Sequence, residues 1–188
     1  MKPHSKTPKE TLGNLSRALG KLLLDKRITL SVAESCTGGM IGSSITSIAG
    51  SSEYFLGGII AYSNIVKQKI LKVPVEILDK HGAVSKQTVE AMAQGAAKLF
   101  KTDCAIAVSG IAGPGGGSAK KPVGLVFIGI YAEKKVGSFK YVFKGNRQEI
   151  RRQAVRAGMG KMIQILRGHR SEVMGEDKKN IYSLLQTT

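Results

Sequence analysis

Ile28-Thr29-Leu30-Ser31-Val32-Ala33-Glu34-Ser35-Cys36-Thr37-Gly38-Gly39-Met40-Ile41 contains the change of period that decides the fold. Ile28, Leu30 and Val32 alternate with Thr29 and Ser31, the two-residue period of a strand. From Met40 onward Ile41, Ser44, Ile45 and Ile48 recur every three to four residues, the period of a helix. The six residues from Glu34 to Gly39 must therefore form a tight turn between strand and helix.

The alternation continues on both sides. Upstream, Thr7-Pro8-Lys9-Glu10 has the form of a capping box with Pro at the first helical position, and Leu12, Leu15, Leu19, Leu22 and Leu23 make one apolar stripe. Downstream, Gly57 to Tyr62 reads as a second strand. A short helix capped by Ser63 or Asn64 then carries Lys67 and Lys69, and Pro74 is expected to end it. Ser85 caps a long helix over 86–101, with Val89, Met92, Ala93, Ala96 and Phe100 inward, and Cys104 to Val108 is a strand. A glycine-rich loop follows from Ser109 to Pro122. Val123 to Tyr131 and Val136 to Phe143 are expected to be an antiparallel pair, and Asn146-Arg147-Gln148-Glu149 opens a last helix to about Arg167.

Strands alternating with helices predict an α/β fold with a mostly parallel sheet covered on both faces. Ligands of such sheets bind beyond the carboxyl ends of the strands. Glu34 to Gly39, Tyr62 to Lys67 and Ser109 to Lys121 all fall at such ends and are expected to face one cleft.

The length, 188 residues, fits one domain over 10–167 between a basic tail (1–9) and a polar tail (168–188). Twenty-nine Lys and Arg against 13 Asp and Glu leave a net charge of +16, concentrated between Lys134 and Arg170, which favours anionic partners. Charge alone does not choose among nucleic acid, acidic membrane and phosphorylated metabolites. Aromatic residues at 5% with no Trp speak against base stacking. Cys36 and Cys104 form no C-x-x-C and no zinc-ligand spacing, so neither disulfide nor metal is expected, and a reducing, cytoplasmic setting fits. The N-terminal residues lack the apolar stretch of a secretory signal, and no apolar run approaches the ~18 residues of a membrane span.

Ser35 lies between a strand end and a helix start, where unpaired amides and the helix dipole favour negative charge. It is a candidate nucleophile, with simple capping by Ser35 or Thr37 as the alternative. Gly38 and Gly39, read as part of the first helical turn, suit close approach of a substrate to the backbone. A serine needs a base. His4 and His169 lie in or near the tails and His81 is ill placed, so a Ser-His-Asp triad is not expected. Lys67, 32 residues after Ser35, could meet it if burial lowers its pKa, the alternative being a solvated lysine like Lys69 and Lys72. Tyr62 is either a hydrogen-bonding neighbour or a packed core residue. Neighbouring side chains on a turn point apart, so Cys36 is expected away from the cleft, as a small buried residue. Gly110 to Gly117 lacks the P-loop spacing, yet its amides with Lys120 and Lys121 could hold one phosphate, or simply form a flexible connection. Arg147, Arg151, Arg152 and Arg156 read as a solvated helix face.

Ala33-Glu34-Ser35-Cys36-Thr37-Gly38-Gly39, Gly50-Ser51-Ser52, Tyr62-Ser63-Asn64 with Lys67, Gly82-Ala83-Val84-Ser85, Gly110-Ile111-Ala112-Gly113-Pro114 and Lys121-Pro122-Val123-Gly124 together resemble the CinA C-terminal domain family. Its stand-alone members are nicotinamide mononucleotide amidohydrolases. The resemblance implies a three-layer α/β/α sandwich with a mixed, mostly parallel sheet, and a homo-oligomer, often a dimer. It implies cofactor-free, metal-independent hydrolysis of the carboxamide of nicotinamide mononucleotide to nicotinate mononucleotide and ammonia, with no membrane or nucleic-acid partner. It makes Ser35 the nucleophile, Lys67 its base, Tyr62 a neighbour that tunes the pair, and Ser109 a hydroxyl where the family commonly has threonine. In the mechanism expected from it, amides near Thr37 and Gly38 would meet the oxyanion, Gly39 would also bind substrate, and Gly110, Gly113, Gly115 and Gly116 would hold the phosphate. The domain that precedes this one in longer members is not expected here. A catalytically silent domain binding a phosphate ligand or nucleic acid is the alternative.

Overall fold

The central strands are built from residues that favour an extended chain buried on both faces. β1 (Leu30–Glu34) and β3 (Cys104–Gly110) are almost wholly buried. In the computed structural model, which describes residues 11–168, they pair in parallel at the centre of a five-stranded sheet. β2 (Phe55–Ile60) lies beside β1, and β4 (Leu125–Ala132) and β5 (Lys135–Val142) follow β3, giving the order β2-β1-β3-β4-β5. The β2-β1 and β1-β3 pairs are parallel, and β3-β4 and β4-β5 are antiparallel. Four of the five strands therefore run one way, and only β4 opposes them. The sheet is mixed and mostly parallel, as expected.

Side chains of alternate parity leave the sheet on opposite sides. Val32, Ile106, Val108, Val126, Ile128 and Ile130 enter a core with α1 (Leu12–Lys26), α2 (Met40–Thr46) and α6 (Arg147–Leu166). Ala33, Ala105 and Ala107 enter a second core with α5 (Lys86–Phe100) and the segments around α3 (Asn64–Lys69) and α4 (Val75–His81). The alanine side leaves room for α5 to come close. At Gly129 a Cβ would lie 2.3 Å from the carbonyl oxygen of Val89, so a glycine is needed there. The three layers are complete.

Boundaries shift for local reasons. α1 begins at Leu12 and is capped by Thr11, whose hydroxyl accepts from the amide of Asn14; the Thr7 box lies outside the described residues. α3 stops at Lys69, ahead of Pro74, which instead starts α4, a helix the spacing did not reveal. Ser85 caps α5, and Asn146 with Glu149 forms the full reciprocal box at α6.

Register then sets the site. Glu34 is opposite Ile60 on one side and Val108 on the other, so β1 and β2 end at one level, where Ser35 and Ala61-Tyr62 leave the sheet, while β3 runs on through Ser109 to Gly110 beside β4.

Candidate active site

Beyond these ends lies a cavity of about 220 Å³, lined by Ser35, Cys36, Tyr62, Lys67, Ala83, Val84, Ser109, Gly110, Ala112 and Arg147. The three segments expected to share one cleft do so.

Lys67 points into the protein from the second turn of α3 and is only 1% exposed, so the solvated alternative does not hold. Its Nζ donates to the carbonyl of Ala61 at 2.7 Å, with the carbonyl of Tyr62 and Ser35 Oγ each at 3.4 Å. Burial holds its pKa below the usual lysine value. The opposing influence is a Cys36 thiolate, but burial pushes that thiol up to about 11, so it is neutral at physiological pH. A neutral amine has two N–H groups and one lone pair. With two carbonyls beside it, such an amine can spend both N–H groups on them and still face Ser35 Oγ.

The turn around Ser35 differs from the sequence expectation in three ways. First, Gly38 and Gly39 precede α2 rather than form its first turn, with φ of 58° and 92°, the left-handed region that glycine adopts without strain. Second, the start of α2 is already occupied. Glu34, buried at the end of β1, accepts from the amides of Gly39 (3.0 Å), Ile41 (3.1 Å) and Gly42 (2.9 Å), and the Gly38 amide closes the turn onto the Ser35 carbonyl at 3.1 Å. An oxyanion at Ser35 therefore cannot use those donors, and of the turn's amides those of Cys36 and Thr37 are the ones not committed to these acceptors. Third, Cys36 contributes to the cavity wall beside Ser35, although it is buried and packs in the first core as a small residue was expected to.

Tyr62 is neither core nor buried. It is 62% exposed at the cavity mouth, where its hydroxyl accepts from Arg147 Nη2 at 3.3 Å. Ser109 donates to the carbonyl of Ala83 at 2.7 Å, which ties the end of β3 to the 82–85 segment on the cavity wall. Gly110 lines the cavity, while the Gly113 carbonyl accepts from Arg147 Nη1 at 2.7 Å. Gly115 and Gly116 are exposed and stand off the cavity wall. Thr37, Gly38 and Gly39, on the far side of the turn, do not line it either. Lys121 donates to the carbonyl of His81 at 2.8 Å, bracing the loop against the end of α4.

Two arginines expected on a solvated face are part of this region. Arg147 crosses the mouth as described, and Arg151 Nη2 donates to the Thr37 carbonyl at 2.7 Å. A signal was available for Arg147: a cation in the first turn of a helix opposes the dipole, an unfavourable position unless something else uses the charge. Glu34 carried no comparable signal, since its three partners come from a turn whose path the sequence does not specify. Among the described residues no cluster of three His, Cys, Asp or Glu side chains could hold a metal ion. No helix there is long and apolar enough to cross a membrane.

Residues 13–166 match the model of the CinA C-terminal domain. The chain belongs to this family. A CinA-like protein of Endomicrobium trichonymphae is 51% identical over 145 residues, 77% of this chain and 34% of that protein. One from Prochlorococcus marinus (strain NATL2A) is 52% identical over 143 residues, 75% of this chain and 33% of that one. This CinA-family chain thus spans about a third of the length of such curated relatives. The crystal structure of competence/damage inducible protein CihA from Agrobacterium tumefaciens superposes with a TM-score of 0.80 at 40% identity, covering 87% of this chain and 99% of that one. A CinA superfamily protein from Enterobacter cloacae gives 0.84 at 30% identity, covering 88% and 98%.

Proposed function

We propose that this CinA domain is an amidohydrolase that hydrolyses the carboxamide of nicotinamide mononucleotide, without a cofactor or metal, in the cytoplasm. The observation that carries the reading is the buried Lys67 amine, 3.4 Å from Ser35 Oγ and anchored only by main-chain carbonyls. A hydrophobically buried amine without a carboxylate partner is a base.

Ser35 Oγ gives its proton to Lys67 Nζ and forms a bond to the carboxamide carbon. The negative charge on the former carbonyl oxygen is met by the amide of Cys36, the residue of the turn that lines the cavity beside Ser35. As the C–N bond breaks, the ammonium of Lys67 returns the proton to the amide nitrogen and ammonia leaves. Water, deprotonated by Lys67, then attacks the acyl-enzyme; the acyl carbon takes the hydroxyl and Ser35 recovers its proton. Nicotinate mononucleotide is released.

Size supports the orientation. The cavity, about 220 Å³, is below the ~300 Å³ at which sites for whole drug-sized ligands begin. It suits the carboxamide-bearing ring, with ribose and phosphate extending past Arg147 at the mouth. Arg147, with a charge that no described carboxylate neutralises at hydrogen-bond distance, is the group suited to the phosphate, in place of the loop amides of Gly115 and Gly116.

Ammonia release from nicotinamide mononucleotide tests the reading. Ser35→Ala and Lys67→Ala are each expected to lower kcat by about a thousandfold or more with unchanged circular dichroism. Full turnover by either variant rejects the assignment, and ligand binding without turnover by the native chain leaves a silent binding domain. Since kcat requires Lys67 neutral, it is expected to rise with pH through the lowered lysine value and then level off.

A further inference from the structure

Two of the buried polar side-chain atoms without a partner among the described residues, Thr37 Oγ1 and Arg151 Nε, belong to residues in contact with each other, and the catalytic steps above use neither. Drawing a charge out of water is costly unless a partner offsets the loss. Arg151, half-buried on α6, meets only neutral acceptors: Nη2 donates to the Thr37 carbonyl at 2.7 Å and Nη1 to Gln148 Oε1 at 3.4 Å. Its guanidinium lies against Gly38, where a Cβ would come 3.3 Å from Nη2, so the glycine leaves room for it.

The direction of the hydrogen bonds around the turn gives this cation a use. The Thr37 carbonyl and the Gly38 amide are the two ends of one peptide group; the Ser35 carbonyl and the Cys36 amide are the two ends of another. Arg151 Nη2 holds the first group by its oxygen, and the amide of that group donates to the oxygen of the second at 3.1 Å. The Met40 amide also reaches the Thr37 oxygen, at 3.3 Å, but carries no charge. The series ends on Cys36, which lines the cavity beside Ser35. Hydrogen bonds in such a series polarise one another in a single sense, and a cation at the donor end strengthens the donor at the far end. The Cys36 thiol reports the same sense: burial and, less so, Glu34 push it up, while its own amide and then Arg151 act against the rise, so both favour negative charge beside Ser35.

We infer that Arg151 is a positioning residue for the hydrolysis: through the Thr37-Gly38 and Ser35-Cys36 peptide groups, its charge aligns and strengthens the Cys36 amide that meets the oxyanion. The inference rests on the amidohydrolase reading. Because the oxyanion exists only at the tetrahedral stage, the effect belongs to kcat and not to KM.

Steady-state ammonia release from nicotinamide mononucleotide by the full chain, with the fold of each variant checked by circular dichroism, tests it. Arg151→Met is expected to lower kcat by about tenfold to a hundredfold, less than the ~10²–10³ for outright loss of an oxyanion donor, with KM changed by no more than about twofold. The pH at which kcat rises is expected to stay in place, since burial and not Arg151 lowers the Lys67 pKa. Arg151→Lys keeps the cation and is expected to recover most of the loss. Arg152→Met removes an exposed charge from the same helix and is expected to leave kcat as in the native chain. Arg151→Gln has neither the charge nor the length of the native side chain, so it decides the matter if Arg151→Met does not fold. Native kcat in a folded neutral variant, a loss carried by KM or by a shifted pH profile, or a loss that lysine does not recover overturns the inference and leaves the amidohydrolase reading intact. A native chain that releases no ammonia overturns both.

Discussion

Lys67 combines two properties that oppose each other in a stable protein. Its burial suits it to the proposed role of base, and the same burial costs stability wherever the unfolded chain would hold a proton on that amine. The folded pKa is depressed, so between it and the ordinary ~10.4 the unfolded state binds more protons, and stability falls as pH drops through this window. Below the folded value the penalty is complete and constant; above ~10.4 it vanishes. Lys67→Met is therefore expected to gain in Tm over the native chain by more at about pH 7 than at about pH 10.4, while ammonia release is lost. A margin independent of pH would mean the lysine is protonated in the fold. Tyr54 offers a simpler case. Its buried hydroxyl has no partner, so Tyr54→Phe is expected to be neutral or to stabilise by about 1 kcal/mol in urea denaturation.

Among the helices, α2 is a seven-residue element whose start depends on a side chain from the preceding strand. Glu34→Ala leaves the amides of Gly39, Ile41 and Gly42 without their acceptor and is expected to cost roughly 1–3 kcal/mol. Because the same amides shape the turn that carries Ser35, ammonia release should fall even at temperatures where the chain is folded. Gly129→Ala drives a methyl group into the Val89 carbonyl and pushes α5 from the sheet, with an expected cost of about 1–3 kcal/mol by chemical denaturation. The helices whose caps are local were legible: Ser63, Ser85 and the Asn146-Glu149 box act within three residues of themselves. α4 was not, since its start at Pro74 makes no side-chain cap bond and its apolar face is short. The turn after β1 was legible as a turn but not in its course, because positive φ at Gly38 and Gly39 lets the chain reverse in a way no local pattern records. The roles of Arg147, marked only by its place against the helix dipole, and of Arg151 were not legible, because their partners, Gly113, Tyr62 and Thr37, are distant in sequence and only the docking of α6 brings them near.

Over the full chain, charge is the unbalanced quantity. The ion pair between Lys86 and Glu90, at 3.9 Å on one helix, is exposed and adds little. With +16 on the chain, most of it between Lys134 and Arg170, self-repulsion is expected to lower stability at low ionic strength, so raising salt from about 0.01 M to about 0.15 M should raise Tm as the screening length shrinks from ~30 Å to ~8 Å. A falling Tm would mean that favourable pairs dominate instead. That the segments after β1, after β2 and at the end of β3 face one cleft was readable from the alternation of strands and helices, whereas the order of the strands was not. That β4 returns antiparallel to β3 was not, since the glycine-rich loop between them permits either direction.

Both carbonyls that hold the Lys67 amine belong to the main chain, which every amino acid supplies alike. Replacement of Ala61 or Tyr62 by other residues alters the surroundings but cannot delete the oxygen atoms that orient the amine. Lineages that diverge around this position can thus exchange neighbouring side chains freely, and so adjust which molecules enter, while the cradle of the buried amine is inherited unchanged.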